Sequence, residues 1–219
     1  CSGYHYSDSI IYGFSHTHLS GTGIADYCDL LIMPSQNEVC FENGSTVSSS
    51  NGYSSKFSKS SEKASPGYYE VLLDKNNISC RLTATKRVGI HEYTFKNEET
   101  AHLLLDLEHR DRLVDWEIKI AGNNEIIGSR ISSSWAEKQH FYFCIQTSRP
   151  FDSSIFNKGF NTDLKHPTKL ALNFNNLKNN KLIVKVGIST VSADNARDNL
   201  LAEALHWDFE KYKKDAQEI

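Results

Sequence analysis

The chain has 219 residues, with 24 basic and 27 acidic side chains and a formal net charge of −3 at pH 7. This length is enough for one large β domain with a sizeable core. The near-balanced charge excludes the strong basic field of a nucleic-acid-binding surface, so no nucleic acid partner is predicted. No run of about 18 apolar residues occurs, so we predict no membrane span.

Strand-like segments dominate the chain between residues 9 and 189. They are rich in β-branched and aromatic residues and are separated by Gly, Asn, Asp or Pro. The predicted strands are 9–14, 29–33, 67–73, 78–85, 88–95, 102–107, 114–121, 125–132, 140–147, 169–174 and 182–189. Short strands at this spacing predict an all-β, antiparallel sandwich over residues 1–192.

Two segments depart from this pattern. Residues 43–61 are rich in Ser, Gly and Asn, which predicts a surface loop with little to bury. Residues 195–219 carry apolar side chains at helical spacing, with Ser192 or Asp194 as the N-cap, so residues 193–219 are predicted to form one linker helix. Because this pattern has no stop signal, we expect more protein to follow, and an exposed apolar patch near the helix.

The most informative segment is residues 13–29, which read GFSHTHLSGTGIADYCD. In a strand, His16 and His18 would share one face because they are two residues apart. Gly21 and Gly23, on either side of Thr22, allow a ligand or a neighbouring segment to approach closely. The pattern predicts a binding edge, in which the histidines either contact a ligand or brace the loop through hydrogen bonds. A metal site would need a third ligand, and nothing nearby supplies one.

Other polar and aromatic residues have structural interpretations. The acidic run from Asp106 to Asp115 is interleaved with His109, Arg110 and Arg112, so we predict a solvated, self-compensating face. His91 is predicted to be an interior or interdomain residue. Packing is favoured over sugar stacking for Trp116, Trp135 and Trp207. Cys28, Cys80 and Cys144 are predicted to be small buried hydrophobic residues, since no CxxC pair occurs.

At this point a family resemblance emerges from five blocks in order. The blocks are GFSHTHLSGTG at 13–23, ASPGYY at 64–69, RVGIH at 87–91, GSR with WA at 128–136, and KVGIS with SADNAR at 185–197. The chain resembles the N-terminal domain of bacterial α-mannosidases of glycoside hydrolase family 92. The resemblance implies a β-supersandwich whose C-terminal helix leads to an (α/α)6 barrel, with the active site between the two.

The same resemblance implies a calcium-dependent, inverting exo-α-mannosidase, α-1,2 in its preference, located in the periplasm, at the cell surface or outside the cell. Its acid, base and principal Ca²⁺ ligands would lie in the barrel, so we assign none here and expect this chain alone to be inactive. The partners would be a mannose-containing glycan and the barrel. The residues expected to line the mannose pocket are Tyr4, His16, His18, Gly21, Thr22 and Gly23. The alternatives are a non-catalytic carbohydrate-binding sandwich and a scaffold for the barrel.

Overall fold

The computed structural model describes residues 4–17, 27–44, 52–97, 99–157 and 166–218. Its strands are β1 (Ile10–Ile11), β2 (Phe14–Ser15), β3 (Leu31–Gln36), β4 (Ser55–Lys56), β5 (Lys63–Ser65), β6 (Tyr68–Leu73), β7 (Ile78–Ala84), β8 (Val88–Thr94), β9 (Ala101–Asp106), β10 (Arg112–Ile120), β11 (Glu125–Ser133), β12 (Gln139–Thr147), β13 (Ser153–Phe156), β14 (Lys169–Phe174) and β15 (Lys181–Ser189). Two helices follow, α1 (Ala193–Glu203) and α2 (Phe209–Gln217).

The strands form two main sheets, and the strand pairs are antiparallel, which confirms the predicted fold class. The larger sheet has eight strands in the order β10-β11-β12-β15-β8-β7-β6-β5. The smaller sheet has five strands in the order β13-β14-β9-β3-β2, and β1 pairs with β4 beside them. The predicted hairpin turn at 121–125 joins β10 to β11 through backbone bonds from Ala121 and Gly122 to the Glu125 carbonyl.

The main hydrophobic core lies between the two sheets. It contains inward-facing residues of both, such as Leu103 and Leu172 from the smaller sheet and Tyr93 and Ile145 from the larger one. A second core forms where the helices cover the opposite face of the larger sheet, with Leu200 packed near Ile90. The molecule is therefore built in three layers: helices, the eight-stranded sheet and the five-stranded sheet.

The C-terminal segment differs from the single helix that the sequence predicts. Ser192 caps α1 as expected by accepting a hydrogen bond from the Asn195 amide. The helix ends at Glu203, and α2 begins anew after an Asp208 cap. The connection is anchored instead by Lys185, whose ammonium donates to the Ala204 carbonyl (2.7 Å) and lies 3.8 Å from the centre of the Trp207 ring. Neither helix is long and apolar enough to cross a membrane.

Two surface predictions are wrong at particular residues. Tyr53 and Phe57, inside the segment expected to bury little, are core residues. Asp106, expected on a solvated face, is 2% exposed; it accepts a hydrogen bond from the Tyr53 hydroxyl (2.7 Å) and pairs with Lys169 (3.0 Å). The two errors have one cause, because the Tyr53 ring fills the core and its hydroxyl needs a buried acceptor.

The predicted buried cysteines are confirmed. Cys28, Cys80 and Cys144 are free thiols with little or no exposure. Burial raises the pKa of each thiol, most strongly for Cys80. They therefore act as small apolar side chains rather than as nucleophiles.

Candidate functional site

The described ends of the segment singled out by the sequence, residues 13–17 and 27–29, lie where the two sheets meet. Residues 14–17 and 27–31, here called the junction, form a short antiparallel ladder. Phe14 is opposite Ile32, and the amide of Cys28 donates to the Thr17 carbonyl (2.6 Å). His18, Gly21, Thr22 and Gly23, together with Asp26, lie outside the described residues. The described junction therefore shows how this segment is held on both sides.

The first attachment of the junction is a row of three hydrogen-bonded side chains. His16 Nδ1 lies 3.0 Å from the Leu30 carbonyl oxygen, and its Nε2 lies 3.0 Å from Nε2 of His91 on β8. The other nitrogen of His91, Nδ1, lies 2.7 Å from the hydroxyl of Tyr93. The two imidazoles meet edge to edge with ring centres 5.0 Å apart, and Gly89 leaves room for them, because a Cβ there would lie 3.1 Å from His16 Cδ2.

The donors and acceptors in this row can be assigned from chemistry. A carbonyl oxygen only accepts, so His16 Nδ1 carries a proton and donates to Leu30. In a neutral ring, Nε2 of His16 must then accept from His91 Nε2–H, which leaves His91 Nδ1 to accept from the Tyr93 hydroxyl. The row thus runs in one direction, from Tyr93 to Leu30, with both imidazoles neutral.

Burial favours the same neutral state. It lowers the pKa of His16 to about 4 against the hydrogen bond to Leu30, which raises it. The pKa of His91 lies well below its ordinary value because of burial and the neighbouring His16. The prediction that His91 is an interior residue is confirmed, since it is 4% exposed. Both nitrogens of His16 are engaged within the protein, which is the bracing arrangement that the sequence left open.

The second attachment is a buried ion pair. Asp29 is fully buried and Arg130 on β11 is 1% exposed. Arg130 Nη1 donates to Asp29 Oδ1, and its other nitrogens donate to the carbonyls of Leu107 and Arg110. The second carboxylate oxygen, Asp29 Oδ2, accepts from the Thr17 hydroxyl and from the Gln139 amide, both at 2.7 Å. Asp29 is therefore a structural carboxylate with its acceptors filled.

The backbone around these two attachments is strained. Tyr27, Cys28 and Leu30 have φ values of 67°, 62° and 35°, in the left-handed region that non-glycine residues rarely adopt. Such conformations persist only where the surroundings enforce them, and they concentrate at functional sites. The ion pair and the imidazole row supply that enforcement, because they fix Asp29 and Leu30 to two different strands of the larger sheet.

Tyr4 lies in a separate cluster near β5 and β6. Its hydroxyl donates to Glu62 (3.0 Å) and accepts from Lys59 (2.8 Å), while Glu62 also accepts from Tyr69 (2.6 Å). These hydrogen bonds lower the pKa of Glu62 against the effect of burial. Tyr69 is in register with Leu82, and Leu82 with His91. Tyr69 and His91 are therefore two strands apart on one face, about 10 Å, so Tyr4 and His16 belong to neighbouring but distinct clusters.

The tip of the β11–β12 hairpin places an aromatic ring near the junction. Trp135 is 66% exposed, so it does not pack into the core of the described residues, and packing at an interface stays a prediction. Gln139, the first residue of β12 after this turn, donates to Asp29. Trp116 packs as predicted, with its indole N–H donating to the Pro167 carbonyl (3.0 Å). Trp135 is therefore the most exposed of the three tryptophans.

The described residues do not fit a metal site. They contain no group of three or more His, Cys, Asp or Glu side chains arranged to hold an ion. The carboxylates of Asp29 and Asp106 are occupied by Arg130 and Lys169, and the four ring nitrogens of His16 and His91 are engaged within the protein. No Ca²⁺ chemistry can be derived from this part of the chain.

Comparison with known proteins identifies the protein family to which the chain belongs. Residues 1–189 match the model of the glycosyl hydrolase family 92 N-terminal domain, and the chain belongs to this family. No match was found among functionally curated proteins.

Solved structures agree with this class. The family GH92 α-mannosidase BT3965 from Bacteroides thetaiotaomicron is 27% identical with a TM-score of 0.89, over 99% of this chain and 31% of that one. The same enzyme in complex with mannoimidazole gives a TM-score of 0.88. The GH92 inverting mannosidase BT2199 from the same organism is 25% identical with a TM-score of 0.80, over 98% of this chain and 29% of that one. The chain spans less than a third of these proteins.

The residue that sequence reasoning missed is Arg130. Strand β11 alternates between partly exposed and buried positions, and Arg130 occupies a buried one between Gly128 and Ser132. An arginine at an inward-facing position of an alternating strand must find a buried partner. That alternation was the available signal, although the identity of the partner, Asp29, was not readable from it.

Proposed function

We propose that this chain is the N-terminal part of a longer exo-α-mannosidase that removes terminal mannose from glycans. The family match and the likeness to two GH92 mannosidases along almost the whole chain support this proposal. The single structural observation that carries it is the junction, where a strained backbone is fixed at two points directly beside residues 18–26. Such rigid support suits a loop that must hold a sugar precisely.

In this proposal the junction serves the mannose pocket indirectly. His18, Gly21, Thr22 and Gly23 would line the pocket, and His16 would hold them in place, since both of its ring nitrogens are engaged. Tyr4 would contribute from the neighbouring cluster with its exposed ring, which is 53% accessible. The catalytic acid and base of an inverting reaction, and any Ca²⁺ ligands, would belong to a C-terminal (α/α)6 domain, so this chain alone would not hydrolyse mannosides.

The surface around the helices supports a partner domain of the same polypeptide. Val191, Leu201 and Leu205 are 71%, 50% and 80% exposed, and Trp207 is partly exposed beside them in sequence. These side chains are candidates for the apolar contact that the sequence predicts near the terminal helices. We further propose a periplasmic or extracellular location and a preference for α-1,2 linkages.

The test is mannose release from α-1,2-mannobiose by this chain and by the natural full-length polypeptide, each with Ca²⁺ and with EDTA. We expect release by the longer polypeptide only, with loss in EDTA, and β-mannose as the first product in a proton NMR time course, as inversion requires. The α-1,3, α-1,4 and α-1,6 isomers test the linkage preference, and β-1,4-mannobiose is the negative control. Absence of release from every α-mannoside would overturn the proposal.

A non-catalytic carbohydrate-binding function is the second candidate. Tyr4, Tyr6 and Trp135 all present exposed aromatic rings, which is the feature that favours it. Titration of this chain with α-1,2-mannobiose, followed by amide NMR shifts, distinguishes the two: saturable binding by the isolated chain, together with no hydrolysis by the longer one, would favour this second function.

A further inference from the structure

The imidazole row leaves no nitrogen for a ligand. Each of its four ring nitrogens is used once, toward the Leu30 carbonyl, between the two rings, or toward Tyr93. The row crosses from the junction to β8 of the larger sheet, and together with the hydrogen bonds of Thr17 it fixes the end of the described segment before residue 18. The imidazole row therefore holds the junction in place rather than binding a ligand.

We propose that His91 and Tyr93 are positioning residues, whose hydrogen bonds orient His16 and hold the junction against β8 only while both imidazoles are neutral. This goes beyond the proposed function in naming residues and a protonation state. Its consequence for mannose binding rests on the proposed function, because it assumes that residues 18–23 line the pocket.

The direction of the row shows what an added proton would change. A proton on His16 Nε2 would face the N–H of His91, so His91 would have to change tautomer and the Tyr93 hydroxyl would have to turn and accept from His91 Nδ1. Protonation therefore reverses the row and places a charge among buried groups. The burial that lowers the pKa of both rings acts in the same sense.

The groups around the two rings provide nothing to stabilise a charge. In register with His91 lie Leu82 on β7 and Val184 on β15, and Phe14 meets its ring edge-on from β2. Glu92, the next residue on β8, pairs with Arg81 and Lys181. Asp29, from the junction itself, is paired with Arg130. Among the described residues, no carboxylate makes a hydrogen bond or ion pair with either imidazole.

The first test measures which ring nitrogens of His16 and His91 carry protons. Long-range ¹H–¹⁵N NMR of this chain, labelled with ¹⁵N-histidine, distinguishes the two neutral tautomers and the charged ring. At pH 7 we expect His16 to be protonated at Nδ1 and His91 at Nε2, with both rings still neutral at pH 5.5. The opposite tautomer at either residue, or a charged ring at pH 5.5, would overturn the proposal.

The second test measures the hold on the junction by amide hydrogen exchange. The reporters are the amides of His16 and Cys28, which bond across the junction to Asp29 and Thr17. Tyr93→Phe should lower their protection about fivefold, the size expected for one lost hydrogen bond. Tyr142→Phe is the matched control, since its hydroxyl lies 3.4 Å from Nδ1 of His140, also two residues earlier on a strand.

Acidification completes the second test. Between pH 7 and pH 4 the two junction amides should lose at least tenfold more protection than the amides of the β10–β11 ladder. Equal loss in both regions, or equal effects of Tyr93→Phe and Tyr142→Phe, would overturn the proposal. If Tyr93→Phe does not fold, the tautomer measurement on the unaltered chain still decides. No mannose is involved, so a failure here is separate from a failure of the proposed function.

Discussion

The junction is attached to the larger sheet in two chemically opposite ways. At Asp29 the attachment is a buried ion pair with Arg130, surrounded by further donors. At His16 it is a row of neutral groups that ends on Tyr93. The two attachments meet in adjacent residues, because Asp29 belongs to the first and Leu30 to the second. The junction therefore depends on the charges of Asp29 and Arg130, and at the same time on the neutral state of His16 and His91.

The comparison teaches where each attachment is vulnerable. Removing one member of a buried ion pair leaves a charge without a partner, so a mutation breaks the Asp29 side most effectively. The His16 side contains no charge, and its hydrogen bonds are individually modest, so mutation costs less there. Its weakness is a change of pH, because a single added proton reverses the direction of the row and places a charge in a buried site.

The largest expected effect is that of Arg130→Met. It leaves Asp29 buried and unpaired and removes the donors to the Leu107 and Arg110 carbonyls. We expect the free energy of unfolding to fall by about 3–5 kcal/mol in urea denaturation. The control is Arg197→Met, which breaks a more exposed pair with Glu125 and should cost about 1 kcal/mol or less.

The double variant Asp29→Asn with Arg130→Met sharpens this prediction. It leaves no unpaired charge, so it should recover part of the stability lost by Arg130→Met alone. Equal losses for Arg130→Met and Arg197→Met would show that the ion pair is not the principal attachment on this side.

The second effect is the acid sensitivity of the His16 side. The pKa of His16 falls from 6.5 to about 4 on folding, so the unfolded chain binds more protons and stability is lost as pH falls from about 6.5 towards 4. A shift of this size corresponds to about 3 kcal/mol. The measurement is urea denaturation at pH 7 and at pH 4 for the unaltered chain and for His16→Gln.

His16→Gln should be less stable at pH 7 but should lose less on acidification. His109 provides the control, because burial also lowers its pKa to about 4 outside the imidazole row. His109→Gln should flatten the pH dependence of unfolding without changing the exchange of the His16 and Cys28 amides. The same pH dependence in His16→Gln as in the unaltered chain would remove His16 from the account of acid sensitivity.

A third effect tests whether the two attachments act together. Thr17 follows His16, and its hydroxyl both donates to Asp29 Oδ2 (2.7 Å) and accepts from the Asp29 amide (3.1 Å). Thr17→Val should cost about 2 kcal/mol, since it removes a hydrogen bond to a charged group, whereas Thr17→Ser should cost much less. Combined with His16→Gln, the losses should not be additive if the junction opens as one unit. Additive losses would mean that each attachment opens alone.

Much of the fold was predictable from local pattern. Strand periodicity located the long strands and the 121–125 turn, because alternation with turn residues is a local signal. The pattern could not foresee that Tyr53 would fill the core, since a polar, Gly-rich surrounding hides a single buried ring. The pattern also predicted one helix in place of α1 and α2. The helix ends near Ala204, where Lys185, which is distant in sequence, donates to the Ala204 carbonyl.

The candidate site was predictable in position but not in chemistry. Residues 13–29 identified the segment, but the sequence did not distinguish ligand contact from bracing for His16. The contact between His16 and His91 decides for bracing. Contacts across 75 residues, such as this one, follow from how two sheets pack and leave no trace in either local sequence. For the same reason the pairing of Asp29 with Arg130 could not be predicted from the sequence.

The smallest expected change in the free energy of unfolding is that of Trp135→Ala. It tests the contrast between the junction and the β11–β12 turn. The Trp135 ring is 66% exposed in the turn between β11 and β12, while Gln139, the first residue of β12, donates to Asp29. Trp135→Ala should therefore change the free energy of unfolding by less than about 0.5 kcal/mol, whereas Gln139→Leu should cost roughly 1–2 kcal/mol by removing a donor to a buried carboxylate. A loss above about 2 kcal/mol for Trp135→Ala in urea denaturation would mean that the ring packs against protein. It would then return Trp135 to the structural role that the sequence predicted.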